Sequence, residues 1–179
     1  MVPRTMAHGP DHPAAHDAAA AGGGVGRVSS AGGIGLAVYA AAALSLAAAL
    51  VHLWVAPEHL GQWWGYGAFF IAAALCQGLG GVLILRWPER QALPLVGIWG
   101  NLALVALYVV TRTRGVPYGP HVLHTEDPEL LGMSATAAEL VLVMLLVGLL
   151  RGRPRELTMT ALLVAGASLW ALRALGVLP

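Results

Sequence analysis

One residue in this 179-residue sequence stands out for chemistry: Glu139, alone within a long apolar run that ends at Leu150. An ionised carboxylate in hydrocarbon costs about several kcal/mol. It should therefore be protonated, or paired and hydrogen-bonded. Side chains of the right type occur in three other apolar runs: His52, Gln77, and Asn101 with Tyr108. Such an acid could relay protons in a small proton-coupled transporter. It could equally be a neutral Glu that holds helices together by hydrogen bonds.

A second group of residues suits metal chemistry. His52, Glu58 and His59 bracket one chain turn, and His121, His124, Glu126 and Asp127 sit in the longest polar loop. Imidazole with carboxylate suits zinc, copper(II), nickel or iron. His121-x-x-His124 could present two ring nitrogens to one ion. The expected metal ligands are His52, Glu58, His59, His121 and His124, the carboxylates acting as ligands or orienting the imidazoles. The alternative is a set of ordinary interfacial polar residues, with Glu58 and His59 capping the next helix. Three further histidines, His8, His12 and His16, stand beside Asp11 and Asp17 in an N-terminal tail, where solvation is the simpler reading.

Several classes of function have no support. There is no GxSxG, HExxH or kinase motif set. Gly78-x-Gly80-Gly81 lies inside an apolar run and reads as packing glycine, not a phosphate cradle. A net charge of +1 gives no electrostatic basis for a nucleic-acid partner. The single cysteine, Cys76, cannot form an internal disulfide and is expected to be a small buried apolar residue.

These residues must be positioned by helices in lipid. Of the chain, 58% is hydrophobic and only 11% charged, against about 25% charged in soluble domains. The expected fold is all-α: an integral membrane helical bundle of about five transmembrane helices, over 34–56, 64–85, 92–111, 128–150 and 157–177. Each is long enough for a ~30 Å hydrocarbon core at about 1.5 Å per residue. Residues 1–33, rich in Ala, Gly and Pro, read as a disordered tail. Pro57 should end or kink the first span, and Arg86-Trp87-Pro88 stop the second. Asp127 and Pro128 look like the N-cap and first residue of the fourth. Arg151 to Arg155 reads as a tight basic turn.

Four spans carry small residues beside a polar one at helical spacing: Ser45, Ala48, Ala49, His52; Phe70, Ala73, Ala74, Gln77, Gly81; Gly97, Asn101, Leu104, Tyr108; and Gly132, Ala135, Thr136, Glu139. That is the pattern of close helix–helix seams. Counted inward from the span ends, Glu139 and Asn101 lie roughly 16 Å deep, Gln77 deeper, and His52 about one turn in. The fifth span, poor in polar residues, should be peripheral.

All ten basic residues are Arg. Arg4, Arg27, Arg86, Arg90, Arg151, Arg153 and Arg155 fall on one side of a five-span protein, and Arg112, Arg114 and Arg173 on the other. The bias predicts the inner (plasma) membrane, multi-pass, with a cytoplasmic N-terminus. Trp54, Trp63 and Trp64 would then mark the outer interface and Trp87 the inner one. Arg112 could reach Tyr108 or an acid, or bind lipid headgroups.

The run His52-Leu-Trp-Val-Ala-Pro-Glu-His59, then Trp63 to Phe70 with Gln77, and the run Gly100 to Pro120 resemble segments of small polytopic membrane proteins of high-GC bacteria. The resemblance covers the first four spans and implies no activity. The expected function is thus a membrane protein holding a transition metal at its outer face. The alternatives are an accessory subunit of a larger membrane complex and a proton-coupled transporter using Glu139. Its partners would be the lipid bilayer and a second copy or a larger complex.

Overall fold

The computed structural model describes residues 25–120 and 122–176, with side chains from Gly35 onward. The chain falls into two units, residues 1–33 and 34–179. Of the first, only a helical backbone from Val25 is described. The tail histidines His8, His12 and His16 and the loop residue His121 lie outside the described residues.

Five helices follow in order: α1 (Val25–Gln62), α2 (Trp64–Arg86), α3 (Ala92–Thr113), α4 (Leu130–Leu149) and α5 (Gly152–Ala174). Among the described residues there is no strand. All five helices are long and apolar enough to cross a membrane, α1 over Gly35–Gln62. The protein is a multi-pass membrane protein folded as a helical bundle.

Burial follows the seams read from the sequence. Ser45, Ala48, Ala49 and His52 are buried on α1, and Ala73, Ala74, Gln77 and Gly81 on α2. Asn101 is buried on α3 and Glu139 on α4. Small side chains permit the approach: a Cβ on Gly81 would stand 3.1 Å from the carbonyl oxygen of Ala42. Below the polar residues, Val38, Ala41, Ile84, Ile98, Leu142 and Leu146 form an apolar core. The opposite faces present Leu36, Trp54, Leu75 and Leu163, as lipid-facing helices do. Cys76 is exposed on such a face of α2, not buried as expected. α5 buries only Thr158 among its described side chains, so its peripheral place is as expected.

Four boundaries differ from the sequence reading, each for a local reason. α1 does not stop at Pro57 but runs on to Gln62. The missing N–H of Pro57 leaves only the Leu53 carbonyl without its helical donor, and a helix can pass through the loss of one such bond. Here His59 Nδ1 donates to the carbonyl of Val55 at 2.9 Å, so His59 serves α1 and does not cap α2. α4 starts at Leu130, with Glu129 as its N-cap, so Asp127 and Pro128 stay outside. The segment before it is tied elsewhere: Glu126 N–H donates to the carbonyl of Thr111 at 3.1 Å. The basic segment belongs to α5, with Pro154 in its first turn, where the missing N–H is harmless. Finally, the helical backbone of α1 starts at Val25, inside the segment read as tail.

Candidate functional site

The extended α1 changes the depth of His52. It stands ten residues before the end of its helix, and Glu139 nine after the start of α4, so both lie about 15 Å from the same end of the bundle. That end, where α1 meets α2 and α3 meets α4 through the loop 114–129, is the loop end of the bundle. His52 Nε2 and Glu139 Oε1 are 3.2 Å apart, and both residues are buried. Of the four partners considered for Glu139, His52 is thus the nearest.

Gln77 continues the network. Its Nε2 donates to Asn101 Oδ1 at 3.0 Å and to Glu139 Oε1 at 3.5 Å. An amide N–H can only donate, so Oε1 accepts from Gln77, and in the His52 contact one proton is shared between Nε2 and Oε1. Asn101 Nδ2 donates to the carbonyl of Gly97 at 2.7 Å, and Ser45 Oγ to that of Gln77 at 2.7 Å. Four helices therefore meet in one polar layer. Among the described residues, the buried Gln77 Oε1 and Tyr108 hydroxyl have no hydrogen-bond partner. Tyr108, a fourth candidate partner of Glu139, is instead covered by the Arg112 guanidinium, 4.8 Å from its ring centre.

A cavity of about 180 Å³ leads from the loop end to this pair. Its floor is His52 and Glu139. Its walls are mostly apolar, with Val51, Val55, Phe69, Phe70, Leu104 and Ala135. His59 packs against Phe70 at 4.2 Å between ring centres, and His52 at 5.7 Å. The mouth carries Tyr118, Arg112, Glu126 and Glu129. Arg112 pairs with Glu126 through NH1 and Oε2, so its charge is engaged within the protein.

Loop 114–129 frames the mouth because it folds back on the helix ends. Gly115 has φ +70, and its N–H donates to the carbonyl of Val110 at 3.0 Å. A Cβ there would lie 2.5 Å from the backbone of His124 and Leu123, so glycine is needed for space as well as for φ. Tyr66 at the start of α2 donates its hydroxyl proton to the carbonyl of Tyr118 at 3.1 Å.

Of the five expected metal ligands, the four that the structure describes do not gather. His52 and His59 share the cavity, Glu58 is exposed on α1, and His124 is exposed in the loop. Among the described residues no group of three His, Cys, Asp or Glu side chains could hold a metal ion. The intramembrane polar set Gln77, Asn101 and Glu139 does come together, with His52 added and Tyr108 in the cavity wall. The sequence reading missed Tyr66, Phe69 and the rim acid Glu129. Only the proximity of Tyr66 and Phe69 to the Phe70 stripe hinted at them. No protein-family model, curated protein or solved structure matches the chain.

Proposed function

We propose that this chain is a small proton-linked membrane transporter that admits a solute from its loop end and uses Glu139 to exchange a proton with it. The observation that carries the reading is the His52–Glu139 pair at the floor of an otherwise apolar cavity. A buried imidazole–carboxylate pair is poised for proton exchange, because one proton can be held by either partner. Intramembrane acids facing a cavity are typical of proton relays and substrate paths. Gln77, itself held by Asn101, donates to Glu139, which also lines the cavity. The metal reading has weaker support, since the described ligands are dispersed.

The chain sits in the plasma membrane with its N-terminus cytoplasmic, so the loop end faces outward. Arg86 and Arg90 stack on Trp87 at the opposite end, at 5.5 and 5.0 Å, and Arg151 and Arg153 lie at the same end. This basic, Trp-anchored end has the character of a cytoplasmic interface.

Proteoliposomes enclosing a pH-sensitive dye test the reading. They are challenged in turn with small organic cations, anions and neutral solutes. At least one solute should move protons with the native chain and none with Glu139→Gln. Equal responses from both proteins across the panel would remove Glu139 from any transport step.

A further inference from the structure

The lining of the cavity bears on the solute itself. Among the described residues that line it, three are carboxylic acids, Glu126, Glu129 and Glu139, and one is a permanent cation, Arg112. Arg112 is already paired with Glu126 at the mouth, so it offers no uncompensated charge to an anion. His59 uses Nδ1 on the carbonyl of Val55, and His52 uses Nε2 on Glu139, so each ring is held inside the protein. The acids left to meet a ligand are Glu139 at the floor, which carries its exchangeable proton until a cation arrives, and Glu129 at the rim. Between them the wall is aliphatic and aromatic, including Val55, Leu104, Phe69 and Phe70.

From this lining we infer that the cavity binds a small lipophilic organic cation, an alkyl- or arylammonium, whose charged head displaces a proton at Glu139. The inference rests on the proposed transport reading and names its substrate class. Apolar walls take the hydrocarbon part of such a ligand, and aromatic faces tolerate a nearby cation. The carboxylate at the floor supplies the counter-charge that a largely apolar cavity demands. Size agrees: about 180 Å³ exceeds the ~150 Å³ engineered cavity that accepts benzene. One proton leaves Glu139 as one monocation arrives, so charge in the site is conserved. No covalent bond forms.

Binding must then strengthen as pH rises, because protons compete for the same carboxylate. The titratable groups facing that carboxylate or the path to it are His52 and His59 from α1, Tyr66 from α2, Tyr108 and Arg112 from α3, Glu129 at the head of α4, and Tyr118 and Glu126 from the loop. Protonation of His52 also disfavours a cation, so it acts in the same direction.

The test is calorimetric titration of the full chain in detergent with benzyltrimethylammonium, a cation that cannot itself lose a proton. Phenylacetate and benzyl alcohol serve as anionic and neutral counterparts. The cation should bind with proton release and tighten with pH, and the two counterparts should not bind. Glu139→Gln should weaken cation binding by about a hundredfold. Ala135→Phe, which fills the cavity and leaves every charge in place, should weaken it as well. Equal binding of all three probes, or cation binding unaffected by Glu139→Gln in a protein of native melting temperature, would overturn the inference. Proton movement driven only by anionic or neutral solutes in the liposome assay would overturn the cation class while leaving transport standing. No solute-driven proton movement at all would remove the transport reading itself.

Discussion

At the scale of single residues, the polar layer is a balance between desolvation and pairing. His52 and Glu139 each lose water on burial and recover part of that loss in their 3.2 Å contact. Removing one partner leaves the other uncompensated, which costs about 3–5 kcal/mol in comparable buried pairs. The double variant His52→Ala, Glu139→Gln should therefore lower the melting temperature far less than the sum of the losses in His52→Ala and Glu139→Gln. A double-mutant cycle by thermal unfolding in detergent measures that coupling, and an additive cycle would deny the pair. Asn101→Leu strands one N–H of Gln77 and should cost about 1–3 kcal/mol in the same assay. The sequence showed which residues had to find partners, because a lone Glu in an apolar run is visible without a structure. It did not show which partner is nearest. That choice depends on depth, and the depth of His52 depends on whether α1 passes through Pro57.

At the scale of elements, the same error and its cause recur. Proline reads as a stop because it removes a backbone hydrogen bond, yet α1 continues and His59 turns inward to bond Val55. Asp127-Pro128 reads as a helix start, yet the backbone there is tied to Thr111 and the end of α3. The second is a tertiary tie, beyond any local signal, and the first is a side-chain bond within the helix itself. Spans set by apolar length alone were legible, and α2 matches its expected bounds to within a residue. The small-residue seams were legible too, since Gly81, Ser45 and Gly97 leave room only for a close neighbour. The loop that frames the mouth makes its own prediction. Gly115→Ala forces a positive φ and a clash with the backbone of His124. It should destabilise the loop by roughly 1–3 kcal/mol and raise proteolysis between Arg114 and Glu129. The spans should stay protected. Limited proteolysis followed by mass mapping reads this directly, and an unchanged cleavage pattern would count against the folded-back loop.

At the scale of the whole molecule, arginine distribution, aromatic anchors and cavity direction must agree on one orientation. In a Cys76→Ser background, a cysteine at Pro120 should react with an impermeant thiol reagent added to intact cells. One at Glu89 should react only after the cells are opened; both positions are exposed. The reverse pattern would turn the cavity toward the cytoplasm. The proposed function requires a carboxyl in the middle of the membrane bundle that exchanges its proton with water through one opening. Infrared difference spectroscopy of the protein in lipid, titrated with pH and repeated in deuterium oxide, observes that group directly. The account predicts a carboxyl band that grows as pH falls, shifts on deuteration and vanishes in Glu139→Gln. A spectrum with no band assignable to Glu139 at any pH, or a band that neither titrates nor exchanges, would mean a carboxyl sealed from water, and would contradict it.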